Sequence, residues 1–285
     1  MPSDQILRGL LPAPDLRVVI VHATEVARHA AALHECSPTA ASVLARALVG
    51  GALLGGLGKG ESRVTLQLGG DGPMRGLFVD ASADGGVRAW IRGPAVHFPG
   101  RDPDDLLPTL GANAYLAVLR EQPDGELYRG AVELEPPRLD GALARYFEVS
   151  EQVPTRLATV VETDGDGRIA RAAGILVQRL PGGDDRALAS LGEALSAGDP
   201  GRAFREGDSV PALPGLEALE VLERLPLAYR CACSRERAVR GILAAGREEI
   251  GEMIAEGGAA LTCEFCKTVY RFSAEELRRT LERAE

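Results

Sequence analysis

The sequence lacks a charged segment leading into an apolar run at its start. Residues 1–5 read Met-Pro-Ser-Asp-Gln, so no secretory signal is expected. It also lacks an unbroken apolar run of the roughly 20 residues that a membrane span requires. The longest candidate, residues 40–57, is interrupted by Arg46 and by glycines and reads as a buried core helix. Positive charge is not in excess. Lys+Arg number 32 against 41 Asp+Glu, for a net charge of −9, which removes the basic face that nucleic acid or an anionic membrane would need. Lysine is confined to Lys59 and Lys267, and this bias toward arginine decides nothing about function. No Ser-His-Asp order, paired-carboxylate motif or dinucleotide fingerprint is present, so an enzyme is not expected. Gly55–Gly60 imitates a phosphate loop, but Leu53 stands where that pattern needs Gly, and Gly60 where it needs Ser or Thr. Asp164-Gly-Asp-Gly167 imitates a calcium loop without the downstream Glu and reads as a hairpin turn.

At 285 residues and 45% hydrophobic content, the chain is a globular protein of roughly two domains. Residues 17–22 read as a strand, residues 24–34 as a helix, and residues 38–54 as a second helix capped by Ser37 with Pro38 at its first position. Alternation of Val64, Leu66 and Leu68 marks a strand over 63–68. Further strands are predicted over 74–80, 87–92, 115–120, 127–134, 155–162 and 169–180, with a helix over 139–149. Helices with mostly antiparallel strands make an α+β core domain over residues 1–180. Residues 181–229 read as a Pro-punctuated amphipathic helical linker, with Leu216, Leu219, Val221, Leu222 and Leu225 as its apolar stripe. Leu216, Leu219 and Leu222, at i, i+3 and i+6, are the candidate lid. A short helix of this kind is marginal alone and must dock on something. Residues 230–285 form a small C-terminal domain, with a helix over 235–256 and a last helix from Ser273.

Four of the five cysteines fall in that last domain, as Cys231-Ala-Cys233 and Cys263-Glu-Phe-Cys266. Two tight thiol pairs brought together by folding make a tetrahedral Zn²⁺ site, one ion per chain. Each pair is also close enough in sequence to close a local disulfide, so the same atoms are a candidate redox switch. Four thiolates would give the site a formal charge of −2, and Arg230, Arg235 and Lys267 stand beside them to favour the thiolate form. The segment is too small for a good core, so metal would supply much of its folding energy. A purely structural zinc knob and four unrelated thiols are the competing readings. The C-x-C spacing, less common in purely structural sites, favours redox chemistry. Paired cysteines in a chain expected in the cytoplasm point to metal or redox sensing rather than structural disulfides. Cys36 stands alone and reads as a buried or idle thiol. His22, His34 and His97 show no ligand spacing.

The C-x-C and C-x-x-C pattern, with Tyr270 and Phe272 following it, resembles that of the redox-regulated heat-shock holdases, the 33 kDa chaperonins. The resemblance extends through Gln67-Leu-Gly-Gly-Asp-Gly-Pro-Met74, Tyr146-Phe147 with Ser150-Glu-Gln152 and Pro154-Thr155, and Gly174-Ile-Leu-Val-Gln178 with Pro181-Gly182. It covers essentially the whole chain. Ala173 departs from the family's second Gly and touches no proposed ligand. The resemblance implies a cytoplasmic, ATP-independent chaperone whose reduced form holds Zn²⁺ on Cys231, Cys233, Cys263 and Cys266 and is nearly inactive. Oxidation would form Cys231–Cys233 and Cys263–Cys266 disulfides, release zinc and unfold the C-terminal domain. The linker would then undock, and a homodimer would capture unfolding client proteins.

A zinc-ribbon nucleic-acid-binding protein is the alternative. Acidic and basic residues balance from Tyr229 to the end, however, where a nucleic-acid module should be clearly basic. A thioredoxin-like oxidoreductase using Cys263-Glu-Phe-Cys266 would place that motif after a strand in a βαβ unit, which its position near the end of a small module does not offer.

Overall fold

The computed structural model describes residues 3–102, 104–121, 125–135, 137–197, 203–204 and 210–282. The chain divides into two compact units, one up to Arg230 and one from Cys231 onward.

The larger unit is organised by one helix. After β1 (Gln5–Leu11), β2 (Leu16–His22) and α1 (Thr24–Leu33) comes α2 (Pro38–Gly56). Ser37 caps α2 by accepting from the Ala40 amide, with Pro38 at the first position, as its sequence predicts. Every residue of α2 from Ala40 to Gly56 is buried. By length and composition α2 could cross a membrane, yet 94% of its apolar window is buried inside the fold. The reason is a sheet on each side. The first has five strands in the order β10-β1-β2-β9-β8, where β8 is Thr155–Thr163, β9 is Ile169–Arg179 and β10 is Glu220–Pro226. The second has six in the order β11-β5-β4-β3-β6-β7, from β3 (Arg63–Gly69), β4 (Gly76–Ser82), β5 (Gly86–Ile91), β6 (Tyr115–Glu121), β7 (Leu127–Glu133) and β11 (Ala228–Tyr229). Val64, Leu66 and Leu68 of β3, with Leu77 and Val79 of β4, are buried in the same core as α2. The close approach requires small residues. A Cβ on Gly51 would stand 2.5 Å from Val79 Cγ1, and one on Gly56 would stand 2.6 Å from Val19 Cγ1.

Arg46, which interrupts the apolar run, is buried and fully engaged at its guanidinium tips. Its Nη1 donates to Thr159 O and Oγ1, both at 2.8 Å, and its Nη2 pairs with Asp104. Beyond the short α3 (Leu107–Leu110), Asp140 on α4 (Leu139–Tyr146) accepts from the Thr159 amide at 2.9 Å, and burial pushes its carboxyl above the usual range. The helix predicted over 139–149 widens at its end. After α4 a π-helical turn, Phe147–Glu151, closes on Gln152 in the left-handed region, φ 55°.

The outer face of the five-stranded sheet is also apolar. Leu7, Leu11, Val18, Ile20, Ile175 and Val177 project from it and are buried under α5 (Asp185–Ala197) through Leu188, Leu191 and Leu195. Phe204, Leu213 and Leu216 complete the cover. Alternation explains how one sheet feeds two cores: Ile6, Val19 and Val21 point to α2, and their neighbours point to the cover.

Two further sequence expectations change. The amphipathic helix expected through Leu216–Leu225 is not formed. Leu216 sits in a turn, and residues 220–226 are β10, antiparallel to β1. Strand β1 itself carries no strong sequence signal, and its free edge decides the matter by offering a full set of backbone partners to whatever lies beside it. The helix expected over 235–256 is split at Gly246, φ 99°, into α6 (Arg235–Ala245) and α7 (Arg247–Ala255).

Candidate metal centre

The second unit carries α6, α7, the hairpin β12 (Gly258–Thr262) and β13 (Val269–Ser273), and α8 (Ala274–Glu282). Ser234 caps α6 by accepting from the Arg237 amide. Ser273 and Glu276 form a reciprocal capping box at α8, with the Ser273 amide donating to the Glu276 carboxylate at 2.8 Å. The core is small, with Ala238, Ile242, Ile250, Phe272 and Leu277 buried.

These elements bring the cysteines together. Cys231 and Cys233 lie on the irregular segment between β11 and α6. Cys263 and Cys266 lie on the turn joining β12 to β13. That turn is closed by the Cys263 amide donating to Thr268 O at 2.9 Å and the Lys267 amide donating to Cys263 O at 2.8 Å. Lys267 takes φ 56° to complete it. The Sγ atoms of all four cysteines lie within 4.8 Å of one another. Cys231 Sγ is 3.7 Å from Cys263 Sγ, and Cys233 Sγ is 3.3 Å from Cys266 Sγ. A tetrahedron with Zn–S bonds of about 2.3 Å has edges of roughly 3.8 Å. The four sulfurs therefore fit that ion, and the all-thiolate donor set suits zinc. Among the described residues this is the group of such side chains able to hold a metal.

The thiols are unequal. Burial opposes ionisation of Cys266, but hydrogen bonding to Thr268 and to Cys233 and Cys263 brings it down to about 6. Burial pushes Cys233 up to about 12, against the hydrogen bond that the Tyr270 hydroxyl donates to its sulfur at 3.1 Å. Burial also raises Cys263. The cations expected to favour thiolate are each paired with a carboxylate: Arg235 with Glu276 at 2.7 Å, Lys267 with Glu264 at 3.1 Å, and Arg230 with Asp84 at 2.7 Å. The support for the thiolate comes instead from Thr268 and the turn backbone. The signal for Thr268 was its place two residues after the last cysteine of the C-x-x-C turn.

Cys36 stands apart from the centre. It is packed against the main core, and burial pushes its thiol up to about 12. The three candidate lid leucines separate. Leu216 is 4% exposed and sits on the outer apolar face of the five-stranded sheet. Leu219 is partly buried against the same face. Leu222 is 67% exposed. The pairing of β1 with β10 explains this last position. Arg8 faces Glu223 and Gly9 faces Val221, so Leu222 is the extra residue of a bulge and packs on neither core.

Comparison with known proteins finds the Hsp33 protein family model over residues 4–273. The 33 kDa chaperonin of Halalkalibacterium halodurans is 32% identical, covering 99% of this chain and 100% of that protein. That of Thermus thermophilus is 38% identical over 96% of this chain and 85% of its own length. The crystal structure of the 33 kDa chaperonin from Thermotoga maritima matches with a TM-score of 0.86 at 28% identity, covering 99% of both chains.

Proposed function

Because this chain belongs to the Hsp33 family of chaperones, we propose that it is a redox-regulated, ATP-independent holdase. In this reading the reduced protein binds one Zn²⁺ through Cys231, Cys233, Cys263 and Cys266 and is held inactive. The observation that carries it is the convergence of the four sulfurs within 4.8 Å in a unit of its own. With so few buried apolar side chains, the unit would depend on metal for its folding energy. Zinc, when bound, supplies that energy and fixes the thiolates. Oxidation would remove the ligands as Cys231–Cys233 and Cys263–Cys266 disulfides.

The other half of the reading is a surface to expose. The cover formed by α5 with Leu213, Leu216 and Leu219 lies on an apolar sheet face. Lifting it would present a large apolar patch able to bind unfolded chains. Clients, a homodimer in the active state, a cytoplasmic setting and the absence of any catalytic step belong to the same proposal. The test is light scattering from a heat-denaturing client with reduced and with peroxide-oxidised protein, with zinc release followed on the same samples. Suppression only after zinc leaves is expected. Equal suppression by both forms would remove redox control.

A further inference from the structure

We propose that the larger unit carries a phosphate-binding site in the cavity between the edge of α2 and the π-helical turn. The cavity measures about 390 Å³ and is lined by Arg17, Arg120, Glu151, Gln152, Gln178 and Arg179, closed by Leu57 and Pro181. Its residues come from β2, β6, the π-helical turn and the end of β9, so only the tertiary fold assembles it. It gathers the Ser150-Glu-Gln152, Pro154, Gln178 and Pro181 motifs, which the metal centre and the apolar cover leave without a role.

The observation that carries the site is a group of buried guanidinium nitrogens, of which Arg17 Nε and Arg120 Nη2 have neither a hydrogen bond nor a carboxylate beside them. Among the described residues, five buried side-chain nitrogens lack a hydrogen-bond partner. Four of them belong to the three arginines of this one cavity: Arg17 Nε, Arg120 Nε, Arg120 Nη2 and Arg179 Nε. Two of these have a carboxylate nearby without an aligned hydrogen bond. Arg120 Nε is 2.6 Å from Glu151 Oε1, and Arg179 Nε is 2.9 Å from Asp185 Oδ1. Among the described residues Arg17 Nε and Arg120 Nη2 have no such neighbour, while the Arg17 tips donate to Leu57 O and Gln178 Oε1. Buried donors normally find partners, and these two belong to side chains that line the cavity, which favours an anionic ligand beside them.

Charge points the same way. Glu151 is the one carboxylate lining the cavity against three guanidinium groups, and its Oε1 already accepts from the Tyr146 hydroxyl at 2.6 Å. Burial, then repulsion from Arg120 and Arg8, holds the Arg17 guanidinium below its ordinary range. Arg8 cannot serve the cavity, because its nitrogens are taken by Gly56 O, Ala83 O and Glu223. A basic cavity of this size in a chain of net charge −9 selects a small anion. The three guanidinium groups come from three strands, β2, β6 and β9. A planar carboxylate presents two oxygens and suits one guanidinium fork, whereas a tetrahedral phosphate presents enough acceptors for all three.

The test is calorimetric titration of the reduced, zinc-loaded full chain with inorganic phosphate at constant ionic strength. Acetate is the planar control. Saturable one-to-one binding of phosphate, at least ten-fold tighter than acetate, is expected. Arg17→Lys and Arg120→Lys keep the charge but lose the orphan donors, and each should weaken phosphate at least ten-fold, whereas Arg75→Gln should not. If a lysine variant fails to fold, phosphate-dependent chemical shift of the Arg120 Nε–H in the unaltered protein reads the same contact. Absence of saturable binding, equal affinity for acetate, unchanged affinity in both lysine variants, or an unmoved Arg120 resonance would overturn the site. None of these readouts involves client protection, so the result stands apart from the holdase proposal.

Discussion

Cys233 and Cys266, which are 33 positions apart in the chain, stand with their sulfurs 3.3 Å apart. Cys231 and Cys263 make the matching approach at 3.7 Å. The two cysteine motifs are thus interleaved around one point rather than set side by side. That is the arrangement a shared metal would require, since every ligand must then be a neighbour of every other.

The reduced protein is expected to hold one Zn²⁺ per chain. Metal analysis of a Cys231→Ser, Cys263→Ser double variant should find the zinc lost, and full retention would refute the ligand assignment. Cys36→Ser should leave the stoichiometry unchanged, because that thiol is packed against the core of the other unit.

Interleaving makes the pairing of the oxidised cysteines informative. Local disulfides, Cys231–Cys233 and Cys263–Cys266, would free the two motifs from each other. Cross-linked pairs, Cys231–Cys263 and Cys233–Cys266, would staple the unit in its folded form. Cleavage after Arg230, Arg235, Arg247 and Lys267 leaves each motif on its own peptide. Non-reducing mass spectrometry is expected to find two separate peptides, each lighter by two hydrogens. A single cross-linked species would rule out release by unfolding.

Zinc removal should loosen the second unit before the first. Metal binding is worth on the order of 10 kcal/mol to small zinc modules, and the five buried side chains of this unit cannot replace it. Hydrogen exchange after oxidation or chelation should rise first in residues 231–282. Uniform exchange along the chain would contradict a metal-dependent module.

The cover over the five-stranded sheet should respond to Leu216 and Leu219 but not to Leu222. Burying a leucine contributes about 1.5–3 kcal/mol. A Leu216→Ser, Leu219→Ser variant should therefore lose several kcal/mol of docking and protect clients while still reduced and zinc-loaded. Leu222→Ser should behave as the unaltered protein, since that side chain is 67% exposed at the bulge. Light scattering with zinc content measured on the same sample decides it. If the double variant stays as inactive as the unaltered protein, the cover is not the control.

Local chemistry was legible in the sequence wherever a short stretch sufficed. The C-x-C and C-x-x-C spacings marked the thiol cluster because metal ligation depends on a few residues held close together. Ser37-Pro38 and the apolar run after it marked α2, and alternation at Val64, Leu66 and Leu68 marked β3, because caps and periodicity act within a turn or a strand. What required partners distant in the chain was decided only by tertiary structure. Residues 216–225 have a helical spacing of leucines, yet β1 offers an open edge, and backbone pairing along it overrides a weak local preference. That pairing, with its bulge, separates buried Leu216 from exposed Leu222. The carboxylates beside Arg230 and Arg235 come from positions far along the chain, so the sequence showed the cations but not their neutralisation. The arginines of the phosphate cavity lie on three strands, and only the packing of two sheets around one helix brings their unpaired donors to a common space.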